Sequence, residues 1–85
     1  MNRYDIKEVY DDYIVAHDGW KHYYKDNYFY KEINIYGDVF YYNKFGQYHR
    51  LDGPAVEWSD GIKEYWIENK RYSYDDWLKK VKEYE

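Results

Sequence analysis

Short runs of apolar and aromatic residues alternate with turn-forming residues along most of this chain. Within the runs apolar and polar positions tend to alternate, which is typical of strands with one buried face. Two runs end in an Asp-Gly pair, at residues 18–19 and 60–61. Asp-Gly between β-prone runs favours a tight hairpin turn, in which both residues adopt a positive φ. Further turns are predicted at Asn27 and Asn69, with residues 45–46 taking the equivalent place in the middle of the chain.

Three segments, residues 19–30, 37–48 and 61–72, align without gaps. Each begins with Gly, has two adjacent aromatic residues four and five positions after the Gly, and has Tyr eleven positions after it. A repeat of this kind predicts a mainly β fold, a meandering antiparallel sheet of repeated hairpins. The hairpin repeats are expected to occupy residues 4–72, with residues 4–9 as a strand in front of the first copy.

The pattern changes at Ser73, an N-cap residue that is followed by two acidic residues in the first turn of a predicted helix. Apolar residues then recur at helical spacing. We predict a short capping helix over about residues 74–84, which together with its cap forms the C-terminal segment of a single domain, residues 1–85. Trp77, Leu78 and Val81 are expected to dock this helix on the open edge or end of the sheet.

The composition makes an aromatic core necessary. Aromatic residues are 26% of the chain, with 15 Tyr, and aliphatic residues are few. There is no Cys, no long apolar run and no signal-like start, so we expect a cytoplasmic protein without disulfides or a membrane segment. The net charge of −4 has the wrong sign for a generic nucleic-acid binder, so nucleic acid is not the expected partner.

Residues 49–55 read His-Arg-Leu-Asp-Gly-Pro-Ala. This stretch resembles the His-Arg-x-Asp-Gly-Pro-Ala repeats of small proteins from phages, giant viruses and bacteria, which are similar in character to MORN-type hairpins. The resemblance covers residues 49–72, whereas residues 13–48 match only as degenerate copies. It implies a meandering antiparallel sheet and a mobile-element source, and it implies no single activity.

The residues of this motif are interpreted mainly as architecture. Asp52 can cap a turn, Gly53 can adopt a positive φ, and Pro54 fixes the φ that follows. Arg50 is placed to pair with Asp52 or to stack on a neighbouring Tyr. His49 is placed to donate a hydrogen bond across the turn. The alternative is that these side chains form a ligand site.

No constellation of residues indicates catalysis, a cofactor or a metal. The acidic pairs at residues 11–12 and 75–76 are adjacent in sequence, which suits a solvated turn and a helix start better than a shared site. His17 and His22 flank a predicted turn, but no third metal ligand has a clear spacing. We therefore expect a protein that is not an enzyme.

The paired aromatics place one ring on each face of the predicted sheet, and one of these faces is a candidate contact surface. Tyr, Trp and Arg are the residue types that dominate protein interfaces. The proposed contact residues are Tyr24, Tyr42, Trp66, Arg50 and His49, with Asp11, Asp12 and Asp26 as an acidic border. The predicted partner is a host protein, possible targets including a defence protein, which a phage-encoded inhibitor would meet in the host cytoplasm. Homo-oligomers through an exposed strand edge are a further expectation.

The alternative function is a sheet that stacks single-stranded nucleic acid, a nucleotide or a glycan on its aromatic face. For nucleic acid, this hypothesis requires the cations of the strands to share that face. The residues concerned are Lys21, Lys25, Lys31, Lys63, Lys70 and Arg71.

Overall fold

The structure, a computed structural model, describes residues 6–84 and contains one meandering sheet and one helix. The strands follow in chain order, each antiparallel to the next. They are β1 Ile6–Val9, β2 Tyr13–Ala16, β3 Lys21–Lys25, β4 Tyr28–Ile33, β5 Val39–Tyr41, β6 Val56–Glu57, β7 Lys63–Ile67 and β8 Lys70–Tyr72, followed by the helix α1 Tyr74–Lys82. The predicted mainly β hairpin sheet with a C-terminal helix is therefore confirmed. Of the expected first strand, Tyr4 and Asp5 lie outside the described residues.

Four of the turns have the same backbone geometry. In each, the N–H of the first residue donates to the carbonyl of the fifth, and the N–H of the fourth residue, a glycine, donates to the carbonyl of the first. The four glycines have φ values between 77° and 97°, at Gly19, Gly37, Gly46 and Gly61. The expectation of a positive φ at Asp18 and Asp60 is wrong, because in this geometry only the glycine is left-handed.

Two other turns contain no glycine at all. Asp26 and Asn27 have φ values of 52° and 70°, and Glu68 and Asn69 have 50° and 67°. Positive φ at both central residues is the type I′ geometry that matches the twist of a two-residue hairpin. The turns predicted at Asn27 and Asn69 are therefore confirmed, while residues 45–46 belong to the glycine class and not to this one.

The strand register assigns each side chain to one of two faces. Ile14, His22, Glu32 and Phe40 lie opposite one another across β2 to β5, and Val56 continues this row on β6. This is the aromatic face, because it also carries the tryptophans Trp20, Trp58 and Trp66. The opposite face carries a second row, formed by Tyr13, Tyr23, Lys31 and Tyr41, and we call it the lysine face.

The core does not stay on one face. Along β2 to β6 the buried side chains are on the aromatic face, where Ile14, Phe40 and Val56 are almost fully covered. At the C-terminal end the burial moves to the lysine face, where Ile67 is 2% exposed and Trp77 of the helix packs on Tyr65. A small sheet with a single helix can cover only the strands that the helix reaches, which are β7 and β8.

Fewer side chains of the helix are buried against the sheet than the spacing of its apolar residues predicts. Ser73 caps it through a hydrogen bond from the Asp76 N–H, as expected. Trp77 is buried and donates its indole N–H to the Arg50 carbonyl at 3.0 Å. Val81 is half-buried, but the prediction for Leu78 is wrong, since that side chain is exposed.

Candidate functional site

The His-Arg-Leu-Asp-Gly-Pro-Ala motif forms a loop inserted into a strand. Tyr48 lies opposite Tyr42, and the His49 N–H donates to the Tyr41 carbonyl. The Tyr41 N–H in turn donates to the carbonyl of Ala55, after which β6 continues along β5. Residues 51–54 therefore bulge out between residues 48–49 and β6, which both pair with the strand that contains Tyr41.

The Arg50 side chain holds this loop closed. Its Nε donates to Asp52 at 2.9 Å, and one terminal nitrogen donates both to the Pro54 carbonyl at 3.1 Å and to Glu57 at 2.9 Å. The guanidinium also lies 3.9 Å from the centre of the Tyr41 ring. The predicted pairing with Asp52 and stacking on a Tyr are both confirmed. A guanidinium engaged in this way serves the fold, so Arg50 is a poor contact residue for a partner.

Two expectations for the motif are wrong. Gly53 is not in the left-handed region; a Cβ there would lie 2.9 Å from the Arg50 guanidinium carbon, so a larger residue would force the Arg50 side chain to shift. His49 does not donate across the turn, because its Nδ1 accepts the Glu68 N–H at 3.1 Å. Burial lowers the pKa of His49, against a raising effect of the Glu68 charge, and the lowered pKa fits a ring nitrogen that must stay unprotonated to accept.

The predicted aromatic contact residues Tyr24, Tyr42 and Trp66 share the aromatic face, but they have structural contacts of their own. The Tyr24 hydroxyl donates to the Tyr10 and Asp11 carbonyls, both at 3.0 Å, and so fastens the β1–β2 turn. Tyr42 stacks on Tyr48, and Trp66 packs against the same ring. None of the three stands clear of the surface as an isolated platform.

The acidic border behaves as solvated turns. Asp11 and Asp12 lie in the exposed β1–β2 turn, and Asp26 lies in the exposed type I′ turn. These two turns belong to the same end of the sheet, because they follow β1 and β3 of a strict meander. The structure therefore groups the predicted acidic residues at one end.

Two open clefts flank Tyr42. One, of about 470 Å³, has Glu32, Phe29 and Phe45 in its lining. The other, of about 300 Å³, brings Tyr42 together with the predicted residues His49 and Arg50. Both clefts are open to solvent, and in the second the polar side chains Arg50 and Asp52 are already paired with each other.

A buried histidine and a carboxylate meet on the aromatic face. The His22 Nδ1 is hydrogen-bonded to Glu32, and the His22 ring is almost fully covered. His17, by contrast, is exposed in the neighbouring turn. Within residues 6–84 no group of three or more His, Asp or Glu side chains could hold a metal ion.

Glu64 anchors two tryptophans of the aromatic face. Trp58 donates its indole N–H to one carboxylate oxygen at 2.7 Å, and Trp66 donates to the other at 2.9 Å. Burial alone would raise the pKa of Glu64, but these two hydrogen bonds and the charge of Arg71 outweigh it and lower the pKa. An ionised Glu64 therefore fixes the orientation of both indole rings.

The largest group of exposed apolar side chains lies at the end of the sheet opposite to the predicted site. The three turns at this end follow β2, β4 and β6. Tyr36 is 73% exposed, Ile35 is 61% exposed and Ile62 is 56% exposed, and Trp58 next to Ile62 is also open to solvent. Together with the half-buried Trp20 we call these residues the apolar rim. Their combined apolar surface is on the order of a few hundred Å², comparable with the largest apolar patch of a typical monomer, which is often a functional surface.

The turns of the apolar rim support one another. A Cβ on Gly19 would lie 2.6 Å from Ile35 Cγ2, so the first turn is packed on the second. The Ser59 N–H donates to the Asp38 carboxylate at 2.7 Å, which joins the second turn to the third. The Asn34 amide also donates to Asp38, and these hydrogen bonds, which outweigh the effect of burial, lower its pKa. The rim is therefore held in place before any partner arrives.

The sequence does contain a signal for this rim. Ile35 and Tyr36 occupy the central positions of a turn bounded by Asn34 and Gly37, where polar residues are usual. Apolar residues at such positions are not covered by their own hairpin, and in this turn Ile35 packs on the neighbouring turn at Gly19 whereas Tyr36 stays exposed.

Comparisons with known proteins identify no relative. No protein-family model matches the chain, and neither a curated protein nor a solved structure matches it. The resemblance of residues 49–72 to MORN-type repeats stays a prediction. Among residues 6–84 no helix has the length and apolar character needed to cross a membrane.

Proposed function

We propose that this chain is a non-enzymatic protein-binding module that contacts its partner through the apolar rim. The observation that supports the proposal is the exposure of Ile35, Tyr36 and Ile62 on turns that are already fixed against one another. A preorganised aromatic and aliphatic cluster loses little conformational entropy on binding, and Tyr and Trp supply most of the energy at protein interfaces.

The acidic residues around the rim indicate the charge of the partner surface that would fit it. Asp18 and Asp60 are exposed in the first and third turns, on either side of the turn that carries Tyr36. An apolar patch surrounded by Lys or Arg would complement this arrangement. We propose a protein of the host cell as the partner and inhibition as the outcome, a role that the resemblance to phage-type repeat proteins supports.

The structure offers a matched pair of variants for the test. Tyr36 and Phe45 occupy the same position in turns of the same geometry, and their exposures are 73% and 74%. Only Tyr36 belongs to the rim, since Phe45 lies at the opposite end of the sheet. Tyr36→Ser and Phe45→Ser therefore remove equal amounts of exposed aromatic surface from two different sites.

The experiment is a pull-down from host lysate with the tagged wild-type chain and both variants, followed by affinity measurement on the captured protein. Removing one interface anchor costs about 2 kcal/mol or more. We expect Tyr36→Ser to lower the affinity at least about tenfold and Phe45→Ser to leave it unchanged. Equal loss in both variants, or loss only in Phe45→Ser, would show that the rim is not the contact surface.

A further inference from the structure

The lysine face collects most of the strand cations of an acidic protein. Of the six lysines in the described strands, which include Lys7 at the register shift of β1, the register places five on this face, and four of these five are exposed. They are Lys21, Lys25, Lys31, Lys63 and Lys70. Of the six cations considered from the sequence, Arg71 alone lies on the aromatic face, opposite Trp66.

The carboxylates of strands β2 to β8 lie on the aromatic face or are already paired. Glu32 and Glu64 lie on the aromatic face, and Glu57 on the lysine face is paired with Arg50. Glu8 of β1, which the register places on the lysine face opposite Val15, accepts a hydrogen bond from the Tyr10 hydroxyl. No salt bridge within the described chain involves any of the five lysines. The acidic turn residues lie at the strand ends, so the middle of the face is positively charged in spite of the net charge of −4.

Tyrosine rings and cations form one continuous row of contacts across this face. Tyr13 stacks on Tyr23 with ring centres 4.9 Å apart, and Lys31 lies over both Tyr23 and Tyr41, at 4.9 and 5.6 Å. Arg50 covers the Tyr41 ring from the loop side. Because the ring faces are covered by their neighbours, the row offers a ligand its ring edges, hydroxyl groups and ammonium groups, which are hydrogen-bond donors for anionic oxygens.

We propose that the lysine face binds the phosphodiester backbone of a single-stranded nucleic acid, through ammonium and phenol groups and without stacking of the bases. The row crosses β2 to β5, a width of about 14 Å at the usual strand spacing. A flexible strand can follow such a row, whereas a rigid duplex would also meet the acidic turns at both ends of the strands. The site is separate from the apolar rim and does not depend on the proposed protein partner.

The test is fluorescence anisotropy with a labelled 15-nucleotide oligo-dT, titrated at several salt concentrations. Three lysines, Lys21, Lys25 and Lys31, lie on the strands that the row crosses, and three contacts with a single strand predict a slope of log K against log salt of about −2. Lys31→Gln should weaken binding several-fold and reduce the slope by about one. Lys44→Gln removes the same charge from a turn outside the face and should change neither quantity, and circular dichroism of both variants establishes that the fold is kept.

Other ligands decide between alternative explanations. An abasic strand of equal length should bind as tightly as oligo-dT, because the bases are not contacted. Much weaker binding of the abasic strand would overturn the no-stacking geometry, and equal binding of a DNA duplex would overturn the single-strand assignment. Equal binding of poly-glutamate, or no binding of oligo-dT at low salt, would refute the proposal as a whole. Tyr36→Ser should bind oligo-dT like the wild type.

Discussion

The effect of Gly53→Ala on stability should depend on Arg50. The substitution should destabilise the wild-type chain and stabilise a chain that lacks the Arg50 guanidinium. In the wild-type chain the new Cβ would lie 2.9 Å from the guanidinium carbon, so the side chain of Arg50 would have to leave its place. Gly53 itself is not left-handed, so its φ does not by itself require glycine. The cost of Gly53→Ala is therefore the loss of the contacts of Arg50.

The magnitude follows from those contacts. The hydrogen bond to the Pro54 carbonyl contributes about 1 kcal/mol, and the contact with the Tyr41 ring about 0.5–1 kcal/mol. The ion pairs with Asp52, which is 86% exposed, and with Glu57 contribute about 0.2–1 kcal/mol each. Arg50→Met, which keeps the aliphatic stem, should cost about 2–3 kcal/mol, and Gly53→Ala about 1–2 kcal/mol in the wild-type background.

In the Arg50→Met background the same Gly53→Ala change should stabilise the protein by about 0.4–1 kcal/mol, because Ala restricts the unfolded chain more than Gly does. Urea unfolding followed by tryptophan fluorescence measures all four chains of this double-mutant cycle. Arg71→Met, which removes an arginine from the aromatic face, is the control and should cost less than about 1 kcal/mol. If Gly53→Ala costs the same in both backgrounds, the guanidinium is not the reason for the glycine.

Two further predictions concern the turn beside this loop. Asn69→Ala should cost about 0.5–1.5 kcal/mol more than Asn27→Ala, because both positions are left-handed but only Asn69 also accepts the Tyr48 N–H, at 2.8 Å; equal losses in urea unfolding would contradict this. Because the pKa of His49 is lowered in the folded protein, His49 is protonated in the unfolded chain at a higher pH than in the folded one. The contribution of His49 to the free energy of unfolding is therefore complete above about pH 6.5 and falls as the pH decreases below it. His49→Asn keeps an acceptor for the Glu68 N–H, and its urea midpoint should fall less between pH 7.5 and pH 5.5 than that of the wild type, whereas an equal fall would exclude His49 as the cause.

The strands and turns could be predicted from the sequence because each hairpin is specified locally. Alternating burial identifies a strand, and Gly, Asn or Asp at the turn positions ends it. The helix could be predicted for the same reason, from Ser73 and the spacing after it. The role of Gly53 could not, since it depends on where the Arg50 side chain folds back in three dimensions.

The two faces of the sheet could not be assigned from the sequence. Alternation gives the relative side of two residues within one strand, but a bulge reverses it for everything that follows. The register shifts between Tyr23 and Tyr24, and again between Ile6 and Glu8. The insertion of residues 51–54 breaks a further strand. Alternation within β3 places Lys21 and Lys25 on the side of Tyr23, but only the assembled register shows that Lys31, Lys63 and Lys70 share that face.

The sequence predicts a contact surface among the paired aromatics, but the structure favours the apolar rim as the candidate. A comparison of the turn that carries Tyr36 with the turn that carries Phe45 gives the reason. Residues 34–38 and 43–47 have the same backbone hydrogen bonds, each with an Asn side chain that accepts from two N–H groups of its turn. The first is packed against both neighbouring turns, whereas a Cβ on Gly46 of the second would meet nothing within 4 Å. An aromatic side chain on a supported turn is ordered before binding, and one on an isolated turn must be ordered by the partner. If the rim is the contact surface that we propose, Tyr36 should therefore contribute more to binding than Phe45 at equal exposure.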